Sequence, residues 1–308
     1  MTRLAITCGD PAGIGPEVIG RWIAMAPELS REVVVIGPGQ WLETLPLQDD
    51  QRIEVGVGRA PAVPGQPEEA GARVAWDAME RAATGCVTGE FGGVVTGPVS
   101  KSQLARIGYP FPGQTEFFAA RWGGEPTMAF CGGKLRVVLL TWHIPLREVP
   151  VHLTETEFAR AIQAAMELAR AEGFSAPRVG VCGLNPHAGE DGLLGSEEHE
   201  VINPILRRQK VLHPGLSLCL PGDTLFRRAV DGEFDVVLAL YHDQGLAPLK
   251  LVDFDDAVNV TLGLPHVRTS PDHGTAFALA GKGLANPRSF ANAVAVARRL
   301  IRLRTSRS

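Results

Sequence analysis

The sequence contains no long apolar run. No window of its 308 residues approaches the roughly 20 apolar residues that a membrane-spanning helix needs. Its opening stretch, "MTRLAITCGDPAG", has a strand pattern from the start and lacks the apolar core of a signal peptide. These two absences predict that the protein has no membrane partner and works in the cytoplasm.

Cysteine is scarce, and its spacing forms no motif. The five cysteines are odd in number, lie far apart and never form CxxC; they are Cys8, Cys86, Cys131, Cys182 and Cys219. Such a set is typical of reduced thiols in an intracellular protein and argues against a disulfide framework or a zinc ribbon.

Positive charge is not in excess either. Thirty Lys and Arg face 34 Asp and Glu, for a formal net charge of -4. The basic residues are scattered, apart from a C-terminal "RRLIRLRTSRS" that is typical of a helix end and a short tail. A nucleic-acid partner is therefore not expected.

What the sequence does have is a regular alternation of strand and helix patterns. Several short runs are apolar at every position, as strands covered on both faces of a parallel sheet must be. The predicted strands are residues 3–8, 32–37, 93–97, 127–131, 135–141, 178–183, 216–220, 235–240 and 257–263. The predicted helices are residues 15–28, 67–84, 154–172, 273–282 and 289–304. Thr154 and Glu157 stand at capping-box spacing at the start of the third helix. The alternation predicts an α/β protein with a mainly parallel sheet.

The length of the chain predicts ample core and more than one packing unit. The sequence has no internal repeat and no Gly/Ser linker, and its one compositional break, "GRAPAVPGQPEE" (58–69), favours a surface loop. We expect residues 1–308 to form a single two-lobed α/β unit with the active-site cleft between the lobes. The sequence does not set the lobe boundary.

Three histidines follow predicted strands. His143 follows strand 135–141, His187 follows strand 178–183 and His242 follows strand 235–240. Ligand sites in open α/β sheets lie beyond the carboxyl ends of the strands, and three imidazoles with an open position suit a divalent metal. Glu190 and Asp243 stand close by in sequence as carboxylates that could orient the rings. The alternative for each histidine is a hydrogen-bonded residue at a strand end, and no short ligand motif such as HExxH decides between the two.

The usual nucleotide motifs are missing, because neither GxGxxG nor GxxxxGK[ST] occurs. The glycine-rich "GDPAGIGPE" (9–17) fits a structural strand-to-helix turn as well as an anion site. In "FPGQTEFFAARWG" (111–123), Thr115 could hold a phosphate at a helix N-terminus with Gln114 adding an amide donor, or it could simply cap the helix.

"NVTLGLPHVRTSPDHGTA" (259–276) carries Asn259 and Arg268, and Lys250 lies in the same region of the sequence. Arginine is a permanent planar cation that grips phosphate or carboxylate in bidentate fashion. Each cation alone would be read as a surface charge. Together, on loops at one sheet edge, they favour an anionic substrate.

These segments together resemble the 4-hydroxythreonine-4-phosphate dehydrogenase family of vitamin B6 biosynthesis. The resemblance rests on "GDPAGIGPE", "TGPVSK", "GQTEFFA", "TWHIPLR", "GLNPHAGEDGLLGSEE", "PGDTLF", "YHDQGLAPLK" and "NVTLGLPHVRTSPDHGTA". These motifs occur in the family's order and cover essentially the whole chain.

The resemblance implies an isocitrate/isopropylmalate-dehydrogenase-like fold and a homodimer whose active sites use both subunits. It implies a divalent metal (Zn, Mg, Co or Mn) on three histidines shared between the partners, which fall here on His143, His187 and His242. Substrate contacts carry over to Thr115, Lys250, Asn259 and Arg268. A further contact, normally the histidine of "GHTEF", is here Gln114, whose amide can donate a hydrogen bond but cannot take a positive charge.

"DHGTAFALAGKGLANP" also resembles the adenosine-binding loop of isopropylmalate dehydrogenases. That resemblance implies NAD, with NADP as the alternative, and makes His273, Gly274, Thr275 and Asn286 the candidate cofactor-binding residues. A dinucleotide site of this type needs no GxGxxG.

The implied reaction is the oxidation and decarboxylation of 4-phosphooxy-L-threonine to 3-amino-2-oxopropyl phosphate, with Lys250 or Asp243 as the proton acceptor. The metal would lower the pKa of the substrate hydroxyl. Because of Gln114, a D-threonate or D-erythronate 4-phosphate dehydrogenase of sugar-acid catabolism stays open as the alternative. Rivals from other classes are an acyl- or phosphate-transferring enzyme on a related fold and a phosphate-ligand sensor; both predict no NAD-dependent activity.

Overall fold

A computed structural model describes residues 3–56 and 62–306 of the chain. Part of the predicted loop 58–69 lies outside these residues, and the part from 62 to 68 has no helix or strand. The strands are β1 (Arg3–Thr7), β2 (Val33–Gly37), β3 (Arg52–Glu54), β4 (Phe91–Thr96), β5 (Thr127–Cys131), β6 (Arg136–Leu139), β7 (Val179–Cys182), β8 (Leu216–Leu220), β9 (Val236–Ala239), β10 (Val258–Leu262) and β11 (Val267–Pro271).

The helices alternate with these strands. They are α1 (Gly15–Met25), α2 (Pro27–Ser30), α3 (Gly39–Glu43), α4 (Glu69–Val87), α5 (Lys101–Arg106), α6 (Gln114–Trp122), α7 (Glu155–Ala171), α8 (Asn203–Leu212), α9 (Gly222–Val230), α10 (His242–Asp253) and α11 (Arg288–Thr305). The cap predicted for the third helix is present, since the Thr154 hydroxyl accepts a hydrogen bond from the Glu157 N–H at 3.3 Å at the start of α7.

The chain divides into two compact units. The first takes the chain up to Pro126 and then Val258–Ile301, and its strands run in the order β3-β2-β1-β4-β11-β10. Neighbouring strands are parallel except β10 and β11, which are antiparallel. Helices α4 and α6 supply much of its core, where Met79, Phe117 and Phe118 are completely buried.

The second unit takes Thr127–Ala257 and the chain from Arg302 onward. Its strand order is β5-β6-β9-β7-β8, and only the β5–β6 pair is antiparallel. Every residue of β5, β7 and β9 is buried, which confirms the prediction of strands covered on both faces. The mainly parallel α/β class is confirmed.

Residues 273–282 form turns instead of the predicted helix. Within this segment Ala276 and Gly281 have positive φ values of 42° and 74°, which a right-handed helix excludes. The regularly spaced apolar residues of this segment therefore belong to a loop and not to a helix.

Candidate active site

Three histidines follow neighbouring parallel strands of the second unit. His143 follows β6, His187 follows β7 and His242 follows β9. β9 lies between β6 and β7 and is parallel to both, with Val237 opposite Val137 on one side and Gly180 on the other. Because the three strands point the same way, the three loops leave the same edge of the sheet.

His143 and His242 lie side by side. Their ring centroids are 5.8 Å apart with 36° between the ring planes, and both line a cavity of about 310 Å³. The backbone of His143 is left-handed, with a φ of 41°, a conformation that costs an L-residue about 1–2 kcal/mol. Such strain concentrates where a side chain must be held for function.

His187 lies in a left-handed turn. All five residues 187–191 have positive φ, between 44° and 85°. The buried carboxylate of Glu198 holds the chain just before the turn, because its Oε1 accepts the N–H groups of Leu184 and Asn185 at 2.7 Å each and its Oε2 accepts Asn185 Nδ2 at 3.0 Å.

Carboxylates orient two of the three rings. Glu190 Oε2 lies 2.7 Å from His187 Nδ1, and Asp243 Oδ1 lies 2.7 Å from His242 Nδ1. A carboxylate on Nδ1 fixes the ring and makes the opposite nitrogen, Nε2, the better metal ligand. The donor chemistry of these two rings therefore fits a divalent cation.

A single copy of the chain does not assemble the three-histidine set. Among residues 3–56 and 62–306, no three His, Cys, Asp or Glu side chains are placed to hold one metal ion. His143 and His242 come together, whereas His187 lines a different cavity, of about 700 Å³, together with Asp223 and Asp243.

Gln244 links the loops that carry His187 and His242. Its Oε1 accepts the Leu240 N–H at 2.7 Å, and its Nε2 donates to the Gly183 carbonyl at 2.8 Å. Neither Gln244 nor Glu198 is among the residues predicted from the sequence. The sequence offered one signal for each residue: Gln244 lies two residues after His242, and Glu198 is the last residue of the "GLNPHAGEDGLLGSEE" motif.

"LALYHDQGLAPLK" contains the last strand residues of β9 and most of α10, so the residues after the strand are helical. Gly245 is required there, since a Cβ on it would lie 2.7 Å from Val137 Cγ1 and 3.1 Å from Ala239 Cβ. His242 and Asp243 open α10, whereas Lys250 lies near its end, so the three residues do not share a single turn. Lys250 is exposed in the last turn of α10, about 12 Å along the helix axis from His242 at 1.5 Å per residue.

Arg268 lies in the first unit, on β11, and is 3% exposed. Its expected position on a loop is wrong, because residues 267–271 pair with β4 and β10 inside the sheet. Its guanidinium donates to neutral oxygens: Thr96 Oγ1, Gln114 Oε1 and Ser270 Oγ at 3.0 Å, Thr261 Oγ1 at 3.2 Å and Asn259 Oδ1 at 3.4 Å.

No carboxylate within the described part of the chain forms an ion pair with Arg268, and its buried Nε has no hydrogen-bond partner there. Burial lowers the pKa of Arg268 to about 10, which still leaves the guanidinium charged at neutral pH. A buried cation without a counter-ion is costly and is suited to binding an anion.

The other predicted substrate residues are divided between the two units. Gln114 and Asn259 contact Arg268, and Thr115 is buried one residue further along α6. Gly113, not Thr115, occupies the N-cap of α6. Lys250 belongs to the second unit.

The predicted cofactor residues lie on the loop between β11 and α11. The Thr275 carbonyl accepts the Ile14 N–H at 2.9 Å, which joins this loop to the glycine-rich "GDPAGIGPE" segment. His273 has a buried Nε2 without a hydrogen-bond partner among the described residues, and burial lowers its pKa. Asn286 Oδ1 accepts the Arg288 N–H at 3.1 Å at the start of α11.

A cavity of about 460 Å³ lies close to this loop in the first unit. Trp41, Glu54, Pro64 and Glu68 are among the residues that line it. A smaller cavity shares Trp41 and Pro64 with it and is also lined by Gly281 and Gly283 of the loop. The sequence alone did not indicate Trp41 or Glu54, because they belong to short elements that were not predicted.

Comparison with known proteins decides the family. The family described as "Pyridoxal phosphate biosynthetic protein PdxA" matches residues 28–297. The chain belongs to the PdxA family. It is 42% identical over 313 residues to the 4-hydroxythreonine-4-phosphate dehydrogenase of Thioalkalivibrio sulfidiphilus, with 94% of each chain covered. It is 42% identical over 319 residues to that of Chromobacterium violaceum, with 96% of each covered.

The fold agrees with that of solved relatives. The crystal structure of 4-hydroxythreonine-4-phosphate dehydrogenase from Klebsiella pneumoniae matches this PdxA-family chain with a TM-score of 0.81 at 34% identity, covering 98% of this chain and 100% of that one. The resemblance inferred from the sequence motifs is confirmed. None of the helices within residues 3–56 and 62–306 is both long enough and apolar enough to cross a bilayer.

Proposed function

We propose that this PdxA-family chain catalyses the NAD- and divalent-metal-dependent oxidation and decarboxylation of 4-phosphooxy-L-threonine to 3-amino-2-oxopropyl phosphate, in pyridoxal 5'-phosphate biosynthesis. The observation that carries the proposal is the placement of His143, His187 and His242 after three neighbouring parallel strands, with carboxylates on Nδ1 of two of them. The names of the relatives support the reaction. The five free thiols support a cytoplasmic location.

The metal would be held by the Nε2 atoms of these three histidines. When bound, a divalent cation such as Zn, Mg, Co or Mn lowers the pKa of a substrate hydroxyl and stabilises negative charge on the oxygen. His143 and His242 would come from one subunit and the third ligand from His187 of the partner subunit. Two observations support this sharing: His143 and His242 lie side by side, and no third ligand side chain is placed with them among the described residues. The functional unit is then a homodimer.

In this proposal the substrate phosphate binds Arg268, with Gln114, Thr115 and Asn259 nearby and Lys250 as a second cation. These contacts would orient the substrate. Asp243 and Lys250 are both candidates for taking the hydroxyl proton: Asp243 contacts His242 directly, whereas Lys250 is exposed in the last turn of α10.

NAD accepts the hydride in this proposal, with NADP as the alternative. His273, Gly274, Thr275 and Asn286 would hold it on the loop between β11 and α11. The neighbouring cavity supports this placement, because Trp41 offers an aromatic ring for a base and Glu54 a carboxylate for ribose hydroxyls.

The substrate test compares amino and hydroxy acids. We expect kcat/KM for 4-phosphooxy-L-threonine to exceed that for D-threonate or D-erythronate 4-phosphate by at least about 10-fold. This factor corresponds to the free energy of one charged hydrogen bond. The reason is that the carboxylates of Asp223 and Asp243, beside His187, favour an ammonium over a hydroxyl group. NADH formation is measured with metal-replete enzyme.

Unphosphorylated 4-hydroxythreonine serves as the control for the phosphate contacts. Equal or faster turnover of D-threonate 4-phosphate would contradict the substrate assignment. No NAD-dependent turnover of any of these acids would contradict the proposed reaction.

A further inference from the structure

We propose that Gln114 is a positioning residue that holds the guanidinium of Arg268 without neutralising it, so that the ligand's phosphate supplies the counter-charge. This inference rests on the phosphate site of the proposed function. It departs from the sequence-based expectation, in which Gln114 itself contacts the substrate.

Both ends of the Gln114 amide are engaged inside the protein. Oε1 accepts a hydrogen bond from Arg268 Nη2 at 3.0 Å, and Nε2 donates to the Gly97 carbonyl at 3.3 Å. The Gly97 contact fixes which end of the amide faces the arginine. Gln114 therefore turns its Oε1 toward Arg268, and this hydrogen bond holds the guanidinium close to the start of α6.

The remaining acceptors around Arg268 preserve its charge. They are two threonine hydroxyls, one serine hydroxyl and the Asn259 amide oxygen, all neutral. Side chains that orient a buried cation without pairing it leave its charge available to a ligand, as preorganised sites for phosphate require.

Gln114 also adds no ionisable group beside Arg268, because an amide does not titrate. A histidine at this position would titrate in the physiological range, and its charged form would lie against Arg268. The two titratable groups that act electrostatically on Arg268 are Tyr109 and Glu116. Burial raises the pKa of Tyr109, so its phenol stays neutral.

Gln114→Glu tests the charge directly. The substitution keeps the shape of the side chain and places a carboxylate on Arg268 Nη2. We expect the Kd for inorganic phosphate, measured by calorimetry at neutral pH without NAD, to rise at least about 10-fold. The carboxylate gains the buried cation as a partner and loses the hydrogen bond to the Gly97 carbonyl, so thermal melting is recorded to check that the variant is folded. Gln163→Glu, the same change at an exposed position of α7, should leave the Kd unchanged.

Gln114→His supplies a second, independent readout. The ratio of its phosphate Kd to that of the wild type should fall as the pH is lowered from 8 to about 6, because an imidazolium adds positive charge; taking the ratio removes the ionisation of phosphate itself. NMR of the imidazole shows whether it becomes protonated over this range, since burial and the neighbouring guanidinium lower its pKa. A ratio that does not change while the imidazole becomes protonated overturns the proposal.

Two further results also overturn it: wild-type phosphate affinity in Gln114→Glu, or no phosphate binding by the wild type. Failure of the proposed function is distinguishable, because a protein that binds phosphate as described and oxidises none of the candidate acids contradicts only the reaction.

Discussion

His242→Ala abolishes metal binding and turnover while the fold survives. His242 is the first residue of α10, its ring is oriented by Asp243, and it lies 5.8 Å from the ring of His143. Removing a direct ligand should weaken metal affinity by more than the roughly 10–100-fold typical of losing an outer partner. Metal content after dialysis, calorimetric titration with Zn²⁺ and NADH formation measure the effect.

The fold should survive because the His242 side chain is only half-buried and the adjacent core residues Leu246 and Leu249 are unchanged. Circular dichroism and thermal melting check this. His213→Ala, at the end of α8, removes a half-buried histidine that follows no strand and should bind metal like the wild type. Wild-type turnover by His242→Ala with added Zn²⁺ or Mg²⁺ would refute the ligand assignment.

Arg268→Ala raises KM for the phosphorylated substrate by about 10- to 150-fold and lowers kcat much less. The range corresponds to loss of a charged hydrogen bond worth about 1.5–3 kcal/mol. The loss raises KM and not kcat, because Arg268 binds the phosphate equally strongly in the ground state and the transition state. Steady-state kinetics with both the substrate and NAD varied give the two parameters.

The same variant should lose less stability than the removal of so large a buried side chain usually costs. The reason is that the substitution also removes a buried cation without a counter-ion, which disfavours folding. Arg207→Ala, at an exposed position of α8, is the matched control and should leave KM unchanged. An unchanged KM in Arg268→Ala would show that Arg268 does not bind the phosphate.

The sequence predicted the elements with strong local signals. Every predicted strand is present, because runs such as "VVVIG" and "TMAFC" are buried on both faces and admit few alternatives. The cap at Thr154 was visible because it involves residues three apart. The position of the three histidines after β6, β7 and β9 followed from the same strand pattern.

Elements whose burial depends on distant residues were not predicted. Residues 267–271, "VRTSP", are polar and contain proline, yet they are fully buried because β4 and β10 flank them and neutral side chains satisfy Arg268. Residues 273–282 have apolar spacing but turn repeatedly at positive φ. The roles of Gln244 and Glu198 depend on contacts to Gly183 and Asn185 across the fold, which single-sequence patterns do not encode.

The most direct test of the shared three-histidine site is complementation in mixed dimers. His187→Ala and His242→Ala chains, each inactive alone, are co-expressed and allowed to form dimers. If the two histidines of one site come from different subunits, each mixed dimer contains one intact site, and about a quarter of all sites should bind metal and turn over substrate. If all three ligands came from one chain, no combination would restore a site, and a mixture as inactive as its parents would contradict the account.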